Sequence, residues 1–179
     1  MDFLNSIKAR IPDTAKDIRL NLDGVIARSS LAPEDALGCA LAAAFAARAS
    51  DLVATFKANM PAEIANGALV AASLMGMNNV WYPFVEMADD EDLKTQRAEL
   101  RMNAYATAGG LQKKQFEAYA LAASIVGKCH FCVKSHYELL KKEGLTTTQL
   151  RDIGRIAAVV NAAALVIAAE SGTPLAVAA

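Results

Sequence analysis

The chain has 179 residues with a formal net charge of −1; hydrophobic residues make up 54% of it and aromatic residues 6%. This length fits one domain that can bury a core without disulfide staples or structural metal ions. The near-neutral charge provides no basic field for nucleic acid or anionic lipid, so neither is expected as a partner.

The first half of the chain predicts a series of helices, because alanine supplies much of the apolar excess and is the best helix former. Helices are predicted over residues 2–9, 13–28, 33–47, 50–59 and 61–77. Pro33 and Pro61 open two of them at first-turn positions, and Ser50-Asp51 is expected to cap another. Asn78-Asn79 and Pro83 predict an irregular passage, and the polar run 89–92 a solvated surface segment.

The second half predicts a shorter series of helices, one before and three after the boundary at Gly109-Gly110. Helices are predicted over residues 98–106, 112–126, 129–142 and 147–171. Thr146 to Thr148 are expected to cap the last helix, and Gly172 and Pro174 to end it. No segment alternates with period two for long enough to predict a strand, so the fold class is all-α.

The apolar run 156–169 bears on localisation, because about 20 apolar residues are needed to cross a bilayer and this run is shorter. It is therefore expected to be a buried helix. The N-terminus lacks the apolar region of a secretory signal. Three cysteines do not make a secreted disulfide scaffold. We expect a soluble, cytoplasmic protein.

Two parts of the chain resemble each other weakly. Residues 39–44 echo residues 119–124 at a spacing of 80, and 61–72 run parallel to 147–158 at a spacing of 86. The hypothesis is an internal duplication, with halves at about 31–88 and 111–171 inside a single domain 1–179. Only the second half carries the cysteine motif described next.

Residues 129–136 read Cys-His-Phe-Cys-Val-Lys-Ser-His and hold two of the three cysteines and both histidines of the chain. On a helix that begins near Cys129, the spacings Cys129–Cys132 and Cys132–His136 each put two side chains on one face. Cys129 and His136 are separated by a rise of about 10 Å, too far for direct contact. The spacing therefore pairs His136 with Cys132 and places Cys129 at the mouth of the helix.

These residue types point to thiol chemistry, in which the thiolate is the nucleophile. The first-turn N–H groups and the imidazole of His136 both favour the thiolate of Cys132. A thiolate beside a second thiol is suited to a dithiol–disulfide cycle. Cys132 would attack a peroxide or an external disulfide, and Cys129 would resolve the product into a Cys129–Cys132 bond.

Glu117 is the candidate supporting carboxylate. It lies about 13 Å back from the turn at Gly127-Lys128, and His136 lies about 10 Å forward of it. In an antiparallel helical hairpin the two are roughly level, so the carboxylate can orient the imidazole or pass a proton. The alternative is an exposed acid on the helix surface.

Glu117, eleven intervening residues and then Cys129-x-x-Cys132-x-x-x-His136 resemble the signature of the AhpD-type alkylhydroperoxidases, in the carboxymuconolactone-decarboxylase-like superfamily. The resemblance covers the whole chain and implies an AhpD-like helical fold and an antioxidant peroxidase. By position it implies that Cys132 reacts with peroxide to form a sulfenic acid and that Cys129 is the resolving cysteine and proton donor. His136 would be the base, and Glu117 would complete the proton relay.

The resemblance also implies partners. Members of that family are homotrimers that reduce organic hydroperoxides weakly. They regenerate the peroxiredoxin AhpC with electrons from a dihydrolipoyl-bearing protein. Here this implies dihydrolipoamide as an external reductant, no bound cofactor or metal, and a transient mixed disulfide through Cys132. Some members carry a histidine directly before the second cysteine, where this chain has Phe131. His130 stands one place earlier, rotated by about 100°, and is expected at the helix start or surface.

Other interpretations of the same residues stay open. Cys129, Cys132 and His136 could bind zinc, although a structural site needs a fourth ligand. Cys39, alone in an alanine-rich helix, is expected to be a buried apolar residue. A general CxxC protein-disulfide reductase without a peroxidase role would use the same thiolate, and an inert helical module would not use it at all. Within the redox interpretation, reduction of a partner disulfide is expected to dominate over direct peroxidase turnover.

Overall fold

The computed structural model describes residues 1–172, and within that range the chain forms ten α-helices and no strand. The all-α prediction is therefore confirmed. The helices are α1 Leu4–Lys8, α2 Lys16–Leu22, α3 Pro33–Ala46, α4 Ser50–Ala58, α5 Ala62–Ala88, α6 Glu91–Thr95, α7 Asn103–Ala106, α8 Lys113–Val126, α9 His130–Lys142 and α10 Thr147–Glu170. A π-helical turn, Asp23–Ala27, continues α2, and short 3-10 turns lie at Asp13–Ala15 and Ala108–Gly110.

Helices α3 and α8 form the centre of the protein. They pack against each other and both contact α5 and α10, while α9 packs on α8. Nine consecutive residues are buried in each central helix, 36–44 in α3 and 116–124 in α8. Small side chains permit this close approach: a Cβ at Gly38 would lie 2.3 Å from Cζ of Tyr119. The alanine content therefore serves the close packing of the central helices.

Helix α5 is longer than the sequence predicts. It runs without interruption through Asn78-Asn79 and Pro83, so the predicted irregular passage is wrong. Pro83 cannot donate the backbone hydrogen bond that would reach Asn79. However, α5 packs along α3, α8 and α9, and Asn79 Nδ2 donates to the carbonyl of Ala123 at 3.2 Å. Tertiary packing supplies most of the stability of helices in proteins, and here it outweighs the local signals.

Smaller differences from the predictions concern helix ends. Only Asn103–Ala106 of the predicted helix over 98–106 is helical. Ser50 is the first residue of α4 and not its cap, because the N-cap position is held by Ala49. Thr146 caps α10 as predicted, through a capping box with Gln149. Gly172 follows α10 with a left-handed φ of +62°, and Pro174 lies outside the described residues.

Helix α10 is also longer than its apolar run. It spans 24 residues, and it is the one helix in the described range that is long and apolar enough, by length and composition, to cross a bilayer. The helix predicted over residues 147–171 is confirmed to within one residue at its C-terminal end. α10 contacts both α3 and α8, and its buried residues extend from Leu150 to Ile167. The core helix of a soluble protein passes the same test, so length alone is weak evidence for a span.

The order α3–α4–α5 matches the order α8–α9–α10, and the turns inside the two halves match in detail at a spacing of 80. Arg48 and Lys128 both adopt left-handed backbone angles, with φ of 58° and 55°. In each half the backbone N–H of the following residue donates to the carbonyl five residues earlier. The distance is 3.0 Å for Ala49 in the first half and 3.3 Å for Cys129 in the second. At this spacing the motif positions 117, 129, 132 and 136 correspond to Leu37, Ala49, Leu52 and Phe56. The first half therefore has apolar side chains at the four positions where the second half has the glutamate, the cysteines and the histidine of the motif. The origin of the two halves by duplication stays a prediction.

One buried carboxylate ties the N-terminal region to α10. Asp152 Oδ2 accepts hydrogen bonds from the backbone N–H and the hydroxyl of Ser30, at 2.9 and 2.8 Å. Arg155 and Arg151 contact Oδ1 at 3.0 and 3.2 Å. Burial opposes ionisation of Asp152, but these hydrogen bonds outweigh it and lower the pKa to about 2.

Candidate active site

The α8–α9 hairpin positions the reactive residues. Helix α8 ends at Val126, and Gly127 and the left-handed Lys128 reverse the chain. Cys129 follows as the N-cap residue of α9, with an extended backbone, so it precedes the helix in which the sequence predicts it. This reversal brings the first turns of α9 back against the C-terminal half of α8.

The two cysteines of the motif are buried and joined. Cys129 is 0% exposed and Cys132 3% exposed, and the structure contains a disulfide bond between them, with Cα atoms 5.3 Å apart. The backbone N–H of Cys132 points at Sγ of Cys129, 3.2 Å away. The sequence assigns the helix-start N–H groups to Cys132, whereas this one faces Cys129. An N–H at a helix start stabilises negative charge on the sulfur that it faces.

Glu117 and His136 are in direct contact, as the helical spacing predicts. His136 Nδ1 lies 2.5 Å from Oε2 of Glu117. Glu117 is 1% exposed, so its alternative interpretation as an exposed surface acid is wrong. Oε1 of the same carboxylate accepts a hydrogen bond of 2.6 Å from the hydroxyl of Tyr105. Burial disfavours the charge, but the hydrogen bonds from His136 and Tyr105 outweigh it, so the pKa of Glu117 lies below its usual range.

The other imidazole nitrogen faces a thioether. His136 Nε2 lies 3.2 Å from Sδ of Met75 on α5. Among the described residues no hydrogen bond joins His136 to Cys132 in this disulfide form. The two side chains instead line one cavity of about 260 Å³. The structure therefore brings the predicted pair to a common space and not into contact.

This cavity has Cys132 in its lining. Its walls come from α5, from the segment around α7 and from α9. They are mostly apolar or aromatic. The lining residues are Met75, Asn78, Tyr82, Met102, Tyr105, Phe131, Cys132, Ser135 and His136. Cys129 lies behind Cys132, with its sulfur 3.9 Å from the carbonyl oxygen of Asn78.

The remaining candidate residues lie apart from this cluster. The side chain of His130 is 82% exposed and pairs with Glu86 at 3.0 Å, in agreement with the predicted surface position. Cys39 is buried in α3, and burial raises the pKa of its thiol well above the ordinary value. Within residues 1–172 no three His, Cys, Asp or Glu side chains converge on a common point as metal ligands.

Two residues of the site have no signal in the sequence pattern. Tyr105 stands in a short helix twelve residues before Glu117, and Met75 stands 61 residues before His136. Burial, and the hydrogen bond and charge of Glu117, raise the pKa of Tyr105 to about 12, so its hydroxyl stays a donor.

Comparisons with known proteins agree with this arrangement. The model of the carboxymuconolactone decarboxylase family matches residues 91–172. Alkyl hydroperoxide reductase AhpD of Rhodospirillum centenum is 41% identical over 172 residues, which cover 94% of this chain and 92% of the relative. The protein of the same name from Maricaulis maris is 40% identical, covering 94% and 99%. That from Brucella canis is 36% identical over 170 residues, covering 93% and 97%.

Proposed function

The chain belongs to the AhpD family of alkyl hydroperoxide reductases, and from this membership and the site geometry we propose that it reduces alkyl hydroperoxides through Cys129 and Cys132. The observation that carries the proposal is the buried Cys129–Cys132 pair, of which Cys132 lines a small cavity together with His136, the hydrogen-bonded partner of Glu117. The role of the enzyme is antioxidant.

The chemical cycle starts from the reduced pair. The thiolate of Cys132 attacks the terminal oxygen of the hydroperoxide, the O–O bond breaks, and the alkoxide takes a proton and leaves as an alcohol. Cys132 is then a sulfenic acid. The thiolate of Cys129 attacks this sulfur, an S–S bond forms, and the hydroxyl leaves as water after protonation. Two electrons have passed from the cysteines to the peroxide.

His136 is the proton carrier of this cycle. The Glu117 carboxylate accepts from Nδ1–H, which leaves Nε2 as the unprotonated nitrogen, 3.2 Å from Sδ of Met75 in the cavity lining. As base, Nε2 takes the thiol proton of Cys132. The resulting imidazolium has a partner for each N–H, Glu117 on one side and the thioether of Met75 on the other. The proton stored there then goes to the departing alkoxide, and Glu117 and Tyr105 hold the ring in place.

The disulfide is returned to the dithiol by an external dithiol, for which a dihydrolipoyl group on a carrier protein is the proposed donor. The reduced enzyme also regenerates an AhpC-type peroxiredoxin through a mixed disulfide at Cys132. The enzyme works as a cytoplasmic homotrimer without a bound cofactor. Burial of both sulfurs supports a slender donor such as a lipoyl arm, and it requires the peroxiredoxin to present its cysteine on an extended segment that reaches Cys132.

The cysteine roles are tested by mass spectrometry after one equivalent of tert-butyl hydroperoxide is added to the reduced, metal-free protein. The wild type is expected to form a Cys129–Cys132 disulfide that dihydrolipoamide reverses. Cys129→Ser should react once and stop as a sulfenic acid, and Cys132→Ser should not react. Cys39→Ala is the matched control, because its thiol is buried away from the cavity. Full turnover by Cys129→Ser would remove its resolving role.

The balance between peroxide and partner reduction is tested separately. Turnover on tert-butyl hydroperoxide and on an oxidised AhpC-type peroxiredoxin is compared, with dihydrolipoamide driving both reactions. We expect the peroxiredoxin disulfide to be the better substrate. A large preference for the hydroperoxide would contradict this expectation and leave the peroxidase activity as the main function.

A further inference from the structure

A second cavity lies beside the reaction cavity and is larger, about 460 Å³. It is formed by the C-terminal half of α5, by α6 with the residue after it, and by the first turns of α9. Tyr82 and Phe131 line both cavities, and their rings stack with centroids 4.2 Å apart. This outer pocket is therefore separated from Cys132 by one pair of aromatic rings.

The walls of the outer pocket are suited to an apolar chain. Trp81 and Val85 on α5 join the stacked Tyr82 and Phe131 to form a largely apolar surface. The volume lies within the range of about 300 to 1,000 Å³ that is typical of small-molecule sites. A ligand in the outer pocket that extends past the aromatic pair would place its far end in the reaction cavity.

The charges at the rim leave one cation available. Lys94 is held by Asp89 and Glu91, each at 2.7 Å. Oε1 of Glu86 lies 3.0 Å from Nδ1 of His130, so Glu86 contacts this ring and not Lys134. Lys134, on α9, has no hydrogen bond or ion pair with any side chain of residues 1–172. An apolar pocket with a single free ammonium at its rim complements a chain that ends in a carboxylate.

We propose that the outer pocket binds a fatty-acid hydroperoxide, with the acyl chain along Trp81 and Val85, the carboxylate at Lys134, and the peroxide delivered past Phe131 to Cys132. This proposal rests on the proposed function and specifies its substrate class. The reaction at Cys132 is the one written above. Lys134 anchors the far end of the substrate and takes no part in the breaking of the O–O bond.

The anionic end is tested with a fatty-acid hydroperoxide and its methyl ester, each below its micelle concentration. In the wild type the kcat/KM for the acid should exceed that for the ester by about two- to fivefold, the range of an exposed ion pair. Lys134→Gln should bring this ratio to about one, and so should high salt in the wild type. Lys142→Gln, an exposed lysine two turns further along α9, should keep the wild-type ratio. If Lys134→Gln and Lys142→Gln had the same ratio of kcat/KM for the acid to kcat/KM for the ester, the proposal would be overturned.

The apolar wall is tested with Val85→Phe, which narrows the pocket without touching Lys134. Its kcat/KM for the fatty-acid hydroperoxide should fall at least about tenfold relative to that for tert-butyl hydroperoxide, because the pocket no longer admits the chain. An unchanged ratio of these two substrates would show that the chain binds elsewhere. Reaction of the wild type with tert-butyl hydroperoxide tests the proposed function by itself, so failure of either idea can be recognised.

Occupancy is measured without turnover through Trp81, the only tryptophan of the chain. Decanoate should change its fluorescence in the wild type and bind more weakly to Lys134→Gln, while decanamide should bind both equally. If a second copy of the chain covers the pocket, decanoate will have no effect and Lys134→Gln will change the oligomeric state in light scattering. This combination of results would overturn the proposal. Binding of decanoate without any reduction of a hydroperoxide of the same fatty acid would overturn it as well.

Discussion

Replacing Glu117 by Gln tests the proton relay most directly. The wild-type carboxylate accepts two hydrogen bonds, from His136 Nδ1 at 2.5 Å and from the Tyr105 hydroxyl at 2.6 Å. A glutamine has one accepting oxygen and one donating NH2 group. If the oxygen keeps the Tyr105 bond, the NH2 group faces Nδ1. His136 must then accept at Nδ1 and carry its proton on Nε2, where it cannot take the proton of Cys132.

The size of the effect follows from these contacts. A hydrogen bond to a charged group contributes about 1.5 to 3 kcal/mol, and each 1.4 kcal/mol or so changes a rate tenfold. Loss of the Glu117–His136 bond should therefore slow the reaction of Cys132 with hydroperoxide by about 10- to 150-fold near neutral pH. The deficit should narrow as the pH is raised into the alkaline range, because the thiolate then forms without the help of His136.

Stopped-flow mixing of the reduced protein with tert-butyl hydroperoxide measures the rate of the first step across this pH range. Tyr105→Phe is the matched control, because it removes one hydrogen bond from Glu117 but keeps the carboxylate and the imidazole tautomer. It should lose less activity than Glu117→Gln. Circular dichroism establishes that both variants retain their helices.

Two results would refute this reasoning. A wild-type rate in Glu117→Gln would show that His136 needs no carboxylate for its role. An equal, pH-independent loss in Glu117→Gln and Tyr105→Phe would show that both residues merely support the shape of the site.

Two further predictions concern stability. Asp152 has a native pKa of about 2 against about 3.9 in an unfolded chain. Its lowered pKa stabilises the fold above about pH 4 by about 2 to 3 kcal/mol, and this stabilisation is lost as the pH falls towards 2. Asp152→Asn should lower the free energy of unfolding by this amount at pH 7. In urea denaturation at a series of pH values, its free energy of unfolding should fall less steeply below pH 4 than that of the wild type. The same steepness in both proteins would contradict this prediction. Gly127→Ala should cost about 1 to 3 kcal/mol in thermal unfolding, because its Cβ would lie 2.1 Å from Nδ2 of Asn79. Gly76→Ala is the control, because a Cβ at this position would have no heavy atom within 4 Å, and it should be neutral or stabilising. Equal changes in the thermal stability of the two variants would refute the predicted clash with Asn79.

The sequence determined those features that depend on one or two helical turns. The alanine-rich composition indicated an all-α protein, and the Thr146 signal located the start of α10. The spacing from Cys132 to His136 placed these two residues on one face of one helix, α9. The hairpin spacing also brought Glu117 to His136, because two antiparallel helices joined by a short turn have little freedom in register.

The tertiary structure decided whatever depends on distant parts of the chain. Local signals predicted a break at Pro83, but packing against three neighbouring helices keeps α5 continuous. Met75 and Tyr105 reach the site from other elements, so no motif includes them. The bond between Asp152 and Ser30 spans 122 residues.

The physical difference is one of range. Helix periodicity and capping act between neighbours a few residues apart and can be read from the chain. The burial of Glu117, the partner of Nε2 on His136 and the outer pocket beside Cys132 arise only when helices meet. Cys129 belongs to both classes: its spacing is local, but its place before the helix and its burial behind Cys132 come from how the α8–α9 turn packs.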